Sequence, residues 1–287
     1  MKKHFKTHIS SKHKLFDLHI RETFQYRDLI ATLVKKNFTA QYKQTVLGPA
    51  WAVINPLLTT VVQNIIFGNL ARLTRADIAG DFMIPSFLFY MSGNICWGFF
   101  SSVLSSTSST FLDNRATMGK VYYPRIAAPV ASAVSMLISF GIQLALFACI
   151  WLFFLIRGGT DIAVTPKLLL IPVLILHMMC LGIGLGIIIS SVTTKYRDLN
   201  MLVGFGLGLW RYACPIAYGL QLVPEKYIPL YMLNPAAPIV TAFRYALFGT
   251  GYFDLRHYAL SWGVSLAVML LGLMMFSRVE RTFMDTI

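Results

Sequence analysis

Charge is what this sequence has least of. Of 287 residues only 13% are Asp, Glu, Lys or Arg, while 56% are hydrophobic and the mean hydropathy is +0.63. A water-soluble domain carries about 25% charged residues, so an ordinary soluble enzyme, a disordered chain and a collagen-like repeat are excluded. A polytopic membrane protein is expected instead. Six spans of about 20 residues each would use most of the length and leave no room for a sizeable extramembrane domain. Cysteine is scarce as well: Cys96, Cys149, Cys180 and Cys214 lie in apolar stretches without a CxxC spacing. They read as small buried hydrophobes, not as a disulfide framework or a zinc site. No stretch matches GxxxxGK[ST], so the chain is not expected to cradle a nucleotide phosphate itself. Roughly the first 45 residues are polar and basic, and no cleavable signal peptide is expected there.

The charge-free intervals locate the spans. Gln44–Ala71, Phe82–Leu112, Ile126–Ile156, Leu168–Thr194 and His257–Ser277 contain no Asp, Glu, Lys or Arg, and Leu199–Pro224 contains only Arg211. Each supplies the ~20 residues that cross a hydrocarbon core. No carboxylate falls in any of them. A proton- or sodium-driven carrier normally binds its coupling ion with one, so the energy source is expected to lie outside this chain. Six spans put both termini on one side, and that side holds seventeen Lys and Arg against seven opposite. The positive-inside rule then puts both termini in the cytoplasm. The net charge of +13 follows from topology and anionic lipid, with no nucleic acid partner.

Two segments depart from a plain hairpin array. In His19–Tyr42 the residues Ile20, Phe24, Leu29, Ile30, Leu33, Val34 and Phe38 share one broad helical face, with Arg21, Asp28, Thr32 and Lys35 opposite. Arg27 and Asn37 interrupt the apolar arc. The pattern fits an amphipathic helix in the cytoplasmic interface or a soluble helix packed on a partner. In Gly219–Arg256 four prolines (Pro224, Pro229, Pro235, Pro238) break an apolar run into pieces too short to cross. Re-entrant half-helices buried against protein, or a loop resting on the outer surface, satisfy that pattern.

Gly182–Gly184–Gly186 and Gly204–Gly206–Gly208 each contain a small-xxx-small pair inside an apolar span and read as close helix packing, not dinucleotide binding. His4, His8, His13 and His19 read as part of a solvated basic tail, and His177 as a satisfied or interior-facing histidine. Arg211 either snorkels from the end of its span or faces a polar cavity, where it would meet an anionic group. Trp51, Phe87, Phe89, Tyr90, Trp97, Phe99, Phe100, Trp210, Tyr212 and Tyr218 supply rings that suit the C–H faces of sugars, or else ordinary packing and interfacial belts. The run Ser101–Thr110 makes the cytoplasmic half of the second span hydroxyl-rich, for tight packing or for a polar conduit wall.

Several local sequences, in order, resemble one family. RDLIATLVKKNFTAQYKQTVLGPAWAVINPL at 27–57, MGKVYYPRIAAPVASAV at 118–134, TKYRDLN at 194–200, LNPAAPIVTAFR at 233–244 and SRVERTFMDTI at 277–287 are similar to the permease subunits of ABC exporters for lipid-linked polysaccharides, including O-antigen, capsule and teichoic acid exporters. The resemblance covers nearly the whole chain after about residue 19. It implies an all-α polytopic membrane protein of six transmembrane helices, with an N-terminal amphipathic interface helix and external re-entrant half-helices between spans five and six. The organisation would be a basic cytoplasmic tail (1–18), interface and gate helices (19–45), a transmembrane domain (46–277) and a cytoplasmic C-terminal tail (278–287).

The implied assembly is a homodimer bound to two cytoplasmic ABC ATPase subunits, which would hold the ATP and magnesium, so this chain would bind no cofactor or metal and have no catalytic residue. The segment 113–125 would couple to the ATPase through Asp113, Arg115, Lys120 and Arg125, and 220–256 would form the external gate. The expected activity is export of an undecaprenyl-linked glycan across the bacterial plasma (inner) membrane. Arg27, Lys35, Lys36 and Lys43 would hold the lipid phosphate at the entrance, unless they serve only to anchor anionic lipid. Trp51, Tyr90, Trp97, Phe100, Trp210, Arg211, Tyr212 and Tyr218 would line the glycan path. The alternatives are a teichoic acid exporter, a small-molecule or lipid efflux permease of the same architecture, and a membrane transferase. The last would want clustered acids or histidines, whereas Asp113, Asp198, Glu280 and Asp285 are scattered.

Overall fold

The computed structural model describes residues 26–43, 45–70, 84–114, 124, 126–158, 164–193 and 198–282. Within them every regular element is helical. The eight longer helices are α1 (Arg27–Tyr42), α2 (Trp51–Gln63), α3 (Ser86–Ser108), α4 (Ala127–Arg157), α5 (Ile171–Thr193), α6 (Leu199–Tyr212), α7 (Ala236–Phe248) and α8 (Leu255–Thr282). Among the described residues five helical stretches are long and apolar enough to cross a membrane: Gly48–Phe67, Ser86–Ser108, Ala127–Arg157, Pro166–Thr193 and Leu255–Arg278. They coincide with five of the six charge-free intervals. The sixth interval, 199–224, is regular helix only over the 14 residues of α6, a length of about 21 Å against a hydrocarbon core of about 30 Å.

Residues 19–25 of the expected amphipathic segment lie outside the described residues. The remainder forms α1, whose first turn carries Asp28, favourable at a helix N-terminus. Leu33 is buried, Leu29 and Ile30 are half-buried, and Arg27, Lys35 and Lys36 are exposed. The helix lies against α4, where the hydroxyls of Tyr42 and Ser139 share a 2.9 Å hydrogen bond. The chain then turns at Gly48, whose φ of +51° few other residues adopt. Pro56 sits inside α2, a position that a membrane helix tolerates when neighbours satisfy the freed backbone.

The bundle is built around α3, which is mostly buried, whereas the other four crossing helices are mostly unburied. Glycine makes this possible. A Cβ on Gly182 would lie 2.8 Å from the Val103 side chain, and one on Gly186 2.6 Å from Thr107, so α5 rests directly on α3. On its other side α5 meets α8: a Cβ on Gly184 would sit 2.9 Å from Met269 backbone, and one on Gly272 2.7 Å from the Gly184 carbonyl oxygen. Close backbone approach of this kind holds helices together where lipid removes the hydrophobic driving force. Also between α5 and α8, His177 Nε2 is 2.9 Å from Ser265 Oγ and its ring stacks on Trp262 at 4.2 Å. His177 is therefore a packed interior histidine.

The second glycine triad behaves differently. Among the described residues Gly204, Gly206 and Gly208 have nothing within 4 Å of where a Cβ would stand, so the close packing expected of them is absent there. None of the residues of α6 is buried, and Met201, Leu202, Phe205 and Leu209 are exposed.

Between α6 and α8 the prolines divide the chain into single helical turns, Leu220–Leu222, Glu225–Tyr227 and Ile228–Tyr231, followed by α7. All of α7 except Tyr245 is buried. It ends at Gly249 in the left-handed conformation, with the Gly249 N–H donating to Tyr245 O. Lys167 Nζ donates to Gly249 O at 2.6 Å and lies 4.0 Å from the Tyr245 ring centre. A cation thus closes the carbonyl end of that helix.

Candidate functional site: a polar cavity with one cation

α3 carries a polar stripe down one face. Asn94, Ser101, Ser105 and Ser109 recur at intervals of seven and four, and Ser102 and Ser106 stand beside them, spacing that stacks side chains on one side of a helix. This stripe borders two connected spaces. The first is a cavity of about 540 Å³ between α1, α2, α3, α4 and α6. Its polar wall includes the amides of Asn55, Asn94 and Gln143 and the hydroxyls of Tyr42, Ser101 and Ser139. Its aromatic wall is formed by Trp51, Trp97, Phe99 and Phe140. The second is a more open groove of about 490 Å³ that follows the serines toward Ser109. The two share Trp97, Ser101, Ser102, Met136 and Arg211.

Among the described residues Arg211 is the one charged side chain that lines either space. Its Nη2 donates to Asn94 Oδ1 at 2.5 Å. The Asn94 amide in turn donates to Thr60 Oγ1 at 3.1 Å and to Gln63 Oε1 at 2.9 Å. A relay of neutral groups from α2 through α3 therefore fixes the guanidinium of α6. Among the described residues no carboxylate lies within ion-pair distance of Arg211. Of the two placements open to this arginine from sequence, the structure adopts the one facing a polar cavity.

Trp51, Trp97 and Arg211 come together at the cavity, and the other five path residues stand elsewhere. Tyr90 is fully buried against Phe89 and Phe67. Phe100 is buried behind Trp97, with ring centres 5.3 Å apart. Trp210 packs edge-on against Phe100 at 5.3 Å, and its indole N–H donates to Asn234 Oδ1 at 2.8 Å. Tyr212 is 76% exposed. The Tyr218 hydroxyl donates to Tyr212 O at 3.0 Å and bonds the Tyr231 hydroxyl at 2.8 Å.

Of the four entrance cations, Arg27, Lys35 and Lys36 are exposed along α1, and Lys43 is exposed at its C-terminal end. Asp113 is exposed just beyond α3, where Ser109 Oγ donates to its Oδ2 at 2.5 Å. Arg115, Lys120 and Arg125 lie outside the described residues, as do 1–18 and residues 283–287 of the C-terminal tail.

Counting formal charges in the spans misses the residues that build this cavity. Asn55, Gln63, Asn94 and Gln143 are neutral, yet amides are costly in hydrocarbon unless they are hydrogen-bonded or line a wet cavity. Listing amides alongside charges would have singled them out. Arg244 is a second omission, assigned to the outer side by the charge count. It is buried in α7, donates to the carbonyls of Pro215 and Ile216, and lies 3.6 Å from the Phe89 ring centre.

A bundle of apolar helices around a polar, cation-bearing cavity is the architecture of a membrane permease. The chain belongs to the ABC-2 type transporter family, which it matches over residues 28–248. It is 26% identical over 262 residues to an O-antigen export system permease protein RfbA of Klebsiella pneumoniae, covering 90% of this chain and 94% of the relative. A protein of the same name from Myxococcus xanthus is 28% identical over 228 residues, 78% of this chain and 82% of that one. The polysialic acid transport protein KpsM of Escherichia coli is 22% identical over 222 residues, 76% and 80% of the two chains. The protein is therefore a multi-pass membrane protein of the ABC-2 type transporter family.

Proposed function

We propose that this chain is the membrane half of an ATP-driven exporter that moves an undecaprenyl-linked cell-surface polysaccharide, O-antigen-like in kind, out of the cytoplasm across the bacterial inner membrane. The observation that carries this reading is the polar cavity beside α3. It presents amides, hydroxyls and flat indole faces together, the combination that suits the O–H groups and C–H faces of a sugar chain. The named relatives export O-antigen and transport polysialic acid, which supports a glycan as cargo.

Two copies act together in this reading. α6 exposes Met201, Leu202, Phe205 and Leu209 on one apolar face, suited to a second copy of the same chain. α6 and the segment after it make the fifth of six spans, and both termini lie in the cytoplasm. Residues 220–256, with α7, form the external gate, and 113–125 dock on two cytoplasmic ATPase subunits that hold ATP and magnesium. Closure of those subunits moves the coupling segments as rigid bodies and shifts the gate. Arg27, Lys35, Lys36 and Lys43 attract the lipid phosphate to the entrance.

The test is to purify the tagged chain in mild detergent from its own host and identify by mass what accompanies it. A stoichiometric P-loop ATPase, together with intracellular lipid-linked glycan in cells lacking the chain, is the expected result. A homogeneous chain without an ATPase, or normal surface glycan in the deletion strain, would overturn the reading.

A further inference from the structure

Two inward-facing arginines among the described residues are used in opposite ways. Arg244 is a structural cation: it is buried, its guanidinium donates to main-chain carbonyls of Pro215 and Ile216, and a phenylalanine ring covers its face. Among the described residues Arg211 donates to Asn94 Oδ1 alone, and its side chain lines the cavity. A guanidinium carries five N–H donors in a planar fork matched to the oxygens of a phosphate or carboxylate. Position adds to this, because the cation sits in the last turn of α6, where the helix dipole favours positive charge. Asn94 is held from behind by Thr60 and Gln63. The arginine is therefore oriented in advance and left without a counter-ion among the described residues.

We propose that Arg211, positioned by Asn94, binds a phosphate-ester oxyanion of the passing substrate inside this cavity. Ser102, which lines the same space, donates to an oxygen that the arginine does not reach. The exposed indole of Trp51, which lines the same cavity, receives the adjoining sugar. The volume lies within the range of about 300–1,000 Å³ usual for small-molecule sites, and the groove along Ser105, Ser106 and Ser109 continues from it. The oxyanion belongs either to the pyrophosphate of the lipid carrier or to phosphodiesters within the glycan. The inference rests on the export reading above, and assigns to its cavity a preference for anionic over neutral cargo.

The test uses the complete transporter, permease and ATPase together, in nanodiscs. Trp51 and Trp97 line the cavity, so tryptophan fluorescence reports occupancy. The probes are undecaprenyl pyrophosphate carried in the bilayer, a soluble glycerol-phosphate hexamer, and neutral maltohexaose as control. The wild type is expected to respond saturably to at least one phosphate probe and not to maltohexaose. R211Q is expected to weaken that response about tenfold or more, with R211K retaining part of it. N94D is isosteric and places a carboxylate where the amide oxygen now meets the guanidinium, so it should weaken the response as R211Q does although the arginine remains. A response to undecaprenyl pyrophosphate alone assigns the lipid headgroup, and one to the hexamer alone assigns the glycan. Equal affinities in wild type and R211Q, or no wild-type response to either phosphate probe, would overturn the proposal. Surface glycan in a deletion strain separates the two claims. If the wild-type gene fails to restore it, the export reading falls. If wild type and R211Q restore it equally at matched membrane levels, only the role of Arg211 falls.

Discussion

Replacing Arg244 tests how α7 is fastened to the rest of the bundle. The guanidinium donates to Pro215 O and, at 2.7 Å, to Ile216 O, with a longer 3.4 Å contact to Phe89 O. It thereby joins α7 to the segment that follows α6 and to the first turn of α3. In R244M the two well-bonded carbonyls are left buried without donors, at about 1–3 kcal/mol each. Ring contact over Phe89 is lost too, worth up to about 2 kcal/mol when desolvated. Against this, the folded state no longer buries a cation, which costs several kcal/mol per ion on its own. The balance is a net destabilisation of about 2–3 kcal/mol. Lysine should be worse than methionine. It keeps the buried charge, but its single ammonium cannot satisfy both carbonyls in the geometry of a planar fork.

Gly93 offers an independent check, since a Cβ there would stand 2.6 Å from Arg244 Nη2 and 3.0 Å from Ile216 O. G93A should cost about 1–3 kcal/mol through overpacking. That cost should shrink by about 1 kcal/mol when position 244 is already methionine, whose flexible side chain can move aside. Equilibrium unfolding of the purified chain in mixed micelles measures all four variants. Stabilities in the order wild type, R244M, R244K are expected. R244K close to wild type and above R244M would refute the reasoning, because the positive charge, and not the carbonyl clamp, would then be what the site requires.

Two further outcomes follow from the glycines. G184V puts a branched side chain where a Cβ already lies 2.9 Å from Met269 backbone. It should lower stability by about 3 kcal/mol or more and cut the amount of folded protein in the membrane, read by the same unfolding assay and by protease resistance. G204V with G208V meets open space within the chain, so stability of the single chain should change by less than about 0.5 kcal/mol. Both glycines line the groove beside Ser105 and Ser109, so the double variant should impair export at matched membrane levels, and normal surface glycan would remove that groove from the cargo path.

Five of the crossing helices were legible because a membrane imposes a one-dimensional rule: about 20 residues without charge, whatever their neighbours. That rule reads the α3 interval and the α8 interval alike, although one is the buried hub and the other an outer helix. The fifth interval escaped it, since α6 stops at Tyr212 while the uncharged sequence continues to Pro224. Composition does not mark where helix gives way to turns. The two glycine triads show the same limit. Gly182, Gly184, Gly186 and Gly204, Gly206, Gly208 have the same spacing in apolar helices, yet the first is in close packing on two sides and the second on none. The difference lies in which helix faces them, and that information is held elsewhere in the chain.

The cavity was half legible. Trp51, Trp97 and Arg211 are conspicuous residues and were marked by type. Tyr90, Phe100 and Trp210, equally conspicuous, point into packing instead, because an aromatic ring serves a core and a conduit with the same chemistry. Asn94, which holds Arg211 in place, carries no charge and stood unmarked among neutral neighbours.

Sequence alone determined that this chain lives in a bilayer, roughly where it crosses, and to which family it belongs, since hydropathy and local motifs are properties of short stretches. Tertiary structure decided that Arg211 faces a cavity while Arg244 is sealed among carbonyls. Both are arginines near the ends of apolar helices. Only the groups brought to them from distant segments, amides and open space for one and main-chain oxygens for the other, make the first available to a ligand and the second a fastening.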